Sequence, residues 1–472
     1  MLILARAYAA ALQQPEKALV AASLLLRCAT SILLVVVGSL LPSFATDAEP
    51  LLRPVSRWVE PIVRWDTVHF VNIALEGYKV EKQTAFMPGL PALLRVGAHL
   101  SEAAGAHHET LRLDSAVLVG AMVTIGATTG AAVALHRLTS RLYPERPAFA
   151  VTSAVLFLLA PARPVLHGVP YTEPFSAFLT FAGMLRYAQD ADLAAALLWA
   201  VGTLFRAQGA VIGIGFFGWK FLLRHSFDGA VGVRAYLARL IDNLPRFIFF
   251  SLLSAAPFLA FEAYVYRDFC LDGSLPSRPW CTEGLGFSYS WVQREYWDVG
   301  PFRYWNLLQL PNFALAAPVL ALSFAASLAF YRSNLSLTQR STVPFLALPP
   351  WAPAARRPAA PFSSPRSAAQ AVALVPFVHL HTATTLLLFV SAHVQIVLRV
   401  CATGPVVWWY AAELVERSRW WRARTGRTED AEKGDESEQV EKGRDWGRVW
   451  IWYSLVWGTI ATLLWAVALP PA

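Results

Sequence analysis

The feature that most limits what this chain can become is the run from Ala18 to Leu41, apolar except for short polar interruptions of which Arg27 alone is charged. A helix needs about 20 such residues to cross the hydrocarbon of a bilayer. Inside lipid the backbone must satisfy its own hydrogen bonds, so a run of this kind becomes a spanning helix. Comparable stretches recur near 113–136, 147–163, 172–188, 193–206, 209–223, 246–266, 311–331, 371–391, 394–412 and 448–468. With 18–41 they predict about 11 crossings. The pair 193–206 and 209–223 is short and parted only by the turn Arg206–Gly209, so it reads equally as a re-entrant pair. Only 15% of the 472 residues are charged, against roughly a quarter in a soluble domain. The expected fold class is therefore an all-α polytopic membrane protein, with 1–472 forming one transmembrane unit.

The net charge of +8 is carried by arginines gathered in a few loops, which excludes nucleic acid as the partner. Basic loops between apolar spans report the cytosolic side instead. Arg137, Arg141 and Arg146, then Lys220 to Arg246, then Arg332 to Arg366, and finally the 413–447 segment all fall on one side if the odd spans run outward. The other side then holds a first lumenal loop at 42–112 and a second at 267–310, with interfacial helices expected there. Segments 332–370 and 413–447 are cytosolic. Their centres, 344–366 and 425–445, have the Pro/Ala/Ser or mixed-charge composition of disorder. The sequon Asn334-Leu335-Ser336 falls on the cytosolic side and should carry no glycan. Cys270 and Cys281 share one lumenal loop and can form a disulfide there, but sequence alone does not supply the Cα separation.

The unusual polar residues crowd on the lumenal side. Arg64-Trp65-Asp66 precedes a stretch whose apolar residues recur at helical spacing, so 66–76 reads as a short interfacial helix. Asp66 stands at its start, where capping is the plain reading and proton acceptance from a substrate hydroxyl is the functional one. Glu173, in Tyr171-Thr172-Glu173, opens a span with the same two readings. Arg206 and the run His393-Val394-Gln395-Ile396-Val397-Leu398-Arg399 supply cations, as snorkelling side chains or as ligands for a lipid phosphate. Trp297 and Arg303 lie in a third aromatic stretch that leads to Asn312. Asp190-Ala191-Asp192 looks like a metal-binding DxD, but it falls in a cytosolic turn that wants such residues anyway. No metal-ligand spacing appears. A transporter or scramblase would place ionisable residues mid-span on several helices; here only Arg27 clearly does so.

Taken in order, these pieces resemble the GPI mannosyltransferase II family (PIG-V type), membrane glycosyltransferases of the GT-C class. The likeness rests on Arg64-Trp65-Asp66, Gly77-Tyr78, Ala85-Phe86-Met87-Pro88, Tyr171-Thr172-Glu173 and Arg206-Ala207-Gln208-Gly209. It continues through Tyr296-Trp297-Asp298-Val299-Gly300, Arg303-Tyr304-Trp305, Pro311-Asn312-Phe313 and the His393–Arg399 run. The family usually has Arg-Ser-Asn-Gly at 206–209 and Asn at 298. The resemblance implies a GT-C-like bundle that transfers the second mannose of a GPI precursor in α-1,6 linkage, with an active site in the lumen of the endoplasmic reticulum. It implies dolichol-phosphate mannose as donor, a mannosylated GPI lipid as acceptor, no cofactor, and room for a small membrane partner subunit. Asp66 is then the expected general base. Arg206, His393 and Arg399 would meet the donor phosphate, with Glu173 orienting them or the substrate. Arg64, Trp65 and Gln395 would add substrate contacts, and Tyr171, Trp297, Arg303 and Asn312 lumenal support.

Overall fold

The computed structural model describes residues 2–44, 50–105, 108–224, 233–271, 278–334, 362–363, 365–425 and 444–469. The apolar runs satisfy their backbone as helices, and there is no strand among the described residues. In chain order these are α1 (Leu2–Gln13), α2 (Pro15–Leu40), α3 (Asp66–Glu76), α4 (Gly89–Ala103), α5 (Glu109–Leu142) and α6 (Pro147–Leu158). Then come α7 (Glu173–Ala188), α8 (Asp192–Phe205), α9 (Gln208–Gly218), α10 (Val233–Tyr266) and α11 (Ser288–Trp297). The last are α12 (Leu310–Ser333), α13 (Ala368–Ser391), α14 (Pro405–Arg417), α15 (Arg419–Thr425) and α16 (Trp446–Ala466).

The chain is polytopic, but eleven full crossings are not what it shows. Among the described residues six helices are long and apolar enough to cross, and a seventh crossing arises only if 394–403 and α14, bent by 84°, count as one. Apolar composition is not helix continuity. The 147–163 run stops as a helix at Leu158, because Pro161 and Pro164 cannot donate in the turn that follows. The 193–206 run stops where Arg206 turns extended, at φ −149° and ψ 131°. Between these breaks α6, α7, α8 and α9 are short; α6 and α7 are mostly buried, whereas α8 and α9 each keep an exposed apolar face at Leu193, Leu197 and Val201 and at Val211 and Ile214. Their close approach depends on small residues: a side chain at Gly183 of α7 would run into the Trp199 indole of α8.

One face gathers the basic loops. There Arg137 pairs with Glu16 at 2.8 Å, Lys220 with Asp190 and Asp192, Arg366 with Glu145, and Gln370 donates to the Leu142 carbonyl. Buried Glu413 on the same face draws in Phe362 and Ser363, whose backbone N–H groups donate to it at 3.0 and 2.9 Å. That corrects the expectation of disorder at those two residues, since a buried carboxylate needs partners. Residues 413–425 are helical apart from Ser418. The remainder of both segments, 344–361, 364 and 426–443, lies outside the described residues.

The opposite face carries the breaks of the short helices, α3, α11 and the aromatic loops. The Cys270–Cys281 disulfide forms there with a Cα separation of 5.7 Å. Close by, buried Glu81 accepts from the Trp280 indole and the Tyr296 hydroxyl, tying the 42–112 loop to the 267–310 loop.

Candidate active site

The site begins at a strained peptide. Trp65 has φ 54° and ψ −130°, a conformation that costs an L-residue on the order of 1–3 kcal/mol and that clusters at functional sites. It starts α3 abruptly and turns Asp66 inward as the first helical residue. No side chain caps this helix, so the plain reading of Asp66 as a cap is set aside. Its carboxylate instead accepts from Arg399 Nη2 at 2.9 Å and from the Tyr171 hydroxyl.

Arg399 comes from the broken segment, in the short turn Val397–Val400. Its Nε donates to Glu173 Oε1 at 2.7 Å, and its guanidinium carbon lies 4.8 Å from the centre of the Tyr171 ring. Glu173 opens α7, and its Oε1 also accepts from Arg206 Nη1 at 2.5 Å. Thr172 donates to the other Glu173 oxygen at 3.3 Å. Two carboxylates and two guanidinium groups thus form one continuous, charge-balanced chain: Asp66, Arg399, Glu173, Arg206.

Exposure separates the roles. The Glu173 side chain is 1% exposed and that of Arg399 14%, whereas Asp66 is 31% exposed. Glu173 is the fixed counter-ion, and Asp66 is the member that a substrate can reach. Burial pushes the Asp66 carboxyl up, but the Arg399 charge and hydrogen bonds from Tyr171 and Arg399 outweigh it and hold the group below its ordinary value.

Other expected residues form a second cluster beside the first. The Tyr304 hydroxyl donates to Gln395 Oε1 and accepts from Asn312 Nδ2, both at 2.8 Å. His393 packs against the Tyr304 ring at 4.8 Å and bonds to the Trp297 backbone. Its buried Nε2 has no protein partner. Burial lowers the imidazole below its ordinary value, against the Trp297 bond and the Asp298 charge, so His393 is neutral and not the cation that the sequence suggested. Its other ring nitrogen donates to the Trp297 carbonyl, which leaves Nε2 an acceptor. A run of rings joins the clusters, from Tyr171 through Phe70 and Phe86 to Trp297. Arg303 faces away, paired with Asp298 at 2.6 Å.

Arg64 does not enter the charge chain. It pairs with Glu60 at 3.0 Å and donates to Ser43 at 2.7 Å. Together with Trp65, Glu60 and Val68 it lines a cavity of about 440 Å³ on the other side of α3. Arg64 Nε and Trp65 Nε1 are buried without partners there. Sequence reasoning gave Tyr171 only a supporting place and overlooked Thr172 and Glu81 as bonding groups. Tyr171 had a signal, since it sits two residues before a functional acid at the start of the same span. Glu81 had none.

The family model described as mannosyltransferase (PIG-V) matches residues 19–472. GPI mannosyltransferase 2 of Cryptococcus neoformans var. neoformans serotype D (strain JEC21) is 33% identical over 441 residues, 92% of this chain and 93% of that protein. GPI alpha-1,6-mannosyltransferase 2 of Cricetulus griseus is 33% identical over 75% of this chain and 73% of its own length. The human protein of the same name is 30% identical over 83% and 82%. Among solved structures, an archaeal oligosaccharyltransferase from Archaeoglobus fulgidus aligns with a TM-score of 0.47 at 13% identity, over 93% of this chain and 56% of that one.

Proposed function

The chain belongs to the PIG-V family of mannosyltransferases, and on that premise we propose that it adds the second mannose to a GPI-anchor precursor in α-1,6 linkage. The donor is dolichol-phosphate mannose, the acceptor a mannosylated GPI lipid, and the reaction takes place at the lumenal face of the endoplasmic reticulum membrane.

The donor mannose is β-linked, so an α product requires one inverting displacement. The acceptor 6-hydroxyl oxygen attacks the anomeric carbon, the bond from that carbon to the phosphate oxygen breaks, and the hydroxyl proton passes to Asp66. Dolichyl phosphate leaves with a second negative charge. Cationic groups aimed at that developing charge stabilise the transition state more than the ground state. Arg399 and Arg206 are the available cations, held in place by Glu173 from behind. An incoming phosphate competes with Asp66 for Arg399, which loosens the ion pair and makes the carboxylate a better base when the donor is bound. Neutral His393 Nε2 accepts a hydrogen bond from a hydroxyl of the donor sugar.

The observation that supports this reading most is the joining of Asp66 and Glu173 through Arg399, with Asp66 the open end. Expression of the chain in cells lacking the second mannosyltransferase of GPI assembly tests it. Restored surface display of GPI-anchored proteins is expected. A well-expressed chain that leaves the precursor with one mannose would overturn the assignment.

A further inference from the structure

Two arginines that lie against the helix break after α6, Arg27 and Arg163, have buried guanidinium nitrogens and no carboxylate partner among the described residues. Arg27 lies about halfway along α2, is 6% exposed, and has Nη1 enclosed without an acceptor. It does not snorkel to the interface as a mid-span arginine usually would. Arg163 follows the early end of α6. Its Nη1 donates to Thr459 at 3.2 Å, while Nε and Nη2 are buried and unpartnered.

The fold brings the two together. The C-terminal ends of α2 and α16 meet, with Phe44 N–H donating to the Val467 carbonyl at 3.0 Å, and a Cβ on Gly38 would lie 3.4 Å from the Ala466 carbonyl. About two turns back along both helices, Thr30 comes level with Gly458. The Arg163 guanidinium lies flat on that glycine, where a methyl would sit 3.0 Å from its central carbon, Nε and Nη2. Arg27 is one turn further back, and both arginines act electrostatically on His167. Ser454, one turn before Gly458 on the same face, adds another buried and unpartnered hydroxyl.

A guanidinium without a counter-ion is costly at membrane depth. Backbone that leaves the helix at that depth, here 159–162 and 169–172 on either side of a single π-helical turn at Pro164–Gly168, persists only where it is buried in protein or lines a polar cavity. We propose that the notch between α2, the 159–168 turn and α16 binds the phosphate of a membrane lipid, with Arg27 and Arg163 as its counter-charge. Planar guanidinium pairs suit phosphate. The lipid is either a phosphoglyceride or a single-chain polyprenyl phosphate.

The full-length protein, delipidated in detergent, would be given dolichyl phosphate or phosphatidylinositol, and retained lipid counted by native mass spectrometry. Dolichyl phosphate also fits the active site, so the loss caused by notch variants is the readout rather than the total. Arg27→Gln with Arg163→Gln should remove one bound copy per protein of one of the two lipids, lowering the occupancy of that copy at least tenfold, and which lipid it is identifies the source. Gly458→Ala keeps every charge but displaces the Arg163 guanidinium, and should lower retention of the same lipid several-fold; it carries the test if the double variant does not fold. Equal retention by wild type and a folded variant, or no lipid on the wild type, would overturn the proposal.

Discussion

Asp190 and Asp192 share Lys220 at the turn between α7 and α8, at 2.9 and 2.6 Å. Asp66 and Glu173 share Arg399 at the other face, at 2.9 and 2.7 Å. The distances are alike, but the settings are not. Asp190 is 79% exposed, so its pair is screened by solvent and holds a turn. Glu173 is enclosed, and the charge it fixes is passed through Arg399 to a carboxylate that remains reachable. A DxD spelling in sequence thus marks a clamp at a turn, while the acids proposed for the chemistry are more than a hundred residues apart.

The sharpest break of that comparison is in turnover. Asp66→Asn should lower mannose transfer by about 10²–10⁴, the usual worth of a general base, and leave the melting temperature of the purified protein near wild type. Asp190→Asn and Asp192→Asn should each stay within about twofold, as expected for a pair worth roughly 0–1 kcal/mol. Transfer from dolichyl-phosphate mannose to a synthetic acceptor measures all three. An Asp190→Asn loss as large as that of Asp66→Asn would erase the distinction.

Stability gives the next contrast. Arg399→Gln leaves Glu173 enclosed with one of its two counter-ions gone, and breaking a buried pair costs about 3–5 kcal/mol. Arg206 still bonds Glu173, which places the expected loss at the lower end of that range. Adding Glu173→Gln should recover part of it, because the stranded charge disappears. Thermal unfolding in detergent of the two single variants and the double variant reads the coupling. Strict additivity would show that the chain of charges is three separate contacts.

Much of this site was legible because each residue stands at a helix start or break. Asp66, Glu173, Arg206 and Arg399 all lie where apolar periodicity stops, and stops on one side of a membrane protein are brought to one level. What the sequence did not carry was pairing. Arg64 and Arg399 look alike in the sequence as cations on one face, yet one turns to Glu60 and the other to an acid 333 residues away. That choice is made by backbone direction at Trp65 and by which rotamers the packed rings leave free. Helix number was illegible for a different reason. Composition reports what lipid or protein tolerates around a segment, but a span broken at Leu158 and one continuous to its end have the same composition. Arg27 stood out as a mid-span charge, and its meaning appeared only when Arg163 and Gly458 were placed beside it.

The smallest effect concerns protons. Asp66 has a depressed pKa, so it stays charged until the pH falls below the ordinary carboxylate value of about 3.9. Its contribution to stability is complete above that value and is lost as pH falls through the lower, folded one. His393 is depressed from about 6.5, so its neutral form prevails throughout the neutral range and protonation begins only on acidification. Neither group titrates between about pH 6.5 and 8, and kcat/KM should be flat there. His393→Gln replaces one neutral acceptor with another, the amide oxygen, and should cost no more than about tenfold, with the profile still flat. A cationic His393 would behave otherwise, since removing a charge-stabilising donor costs about 10²–10³ and would take with it an alkaline-side limb, a fall in activity as pH rises through neutrality. A limb of that kind in the wild type, absent in His393→Gln, would move His393 out of the supporting cluster and into the charge chain with Arg399 and Arg206.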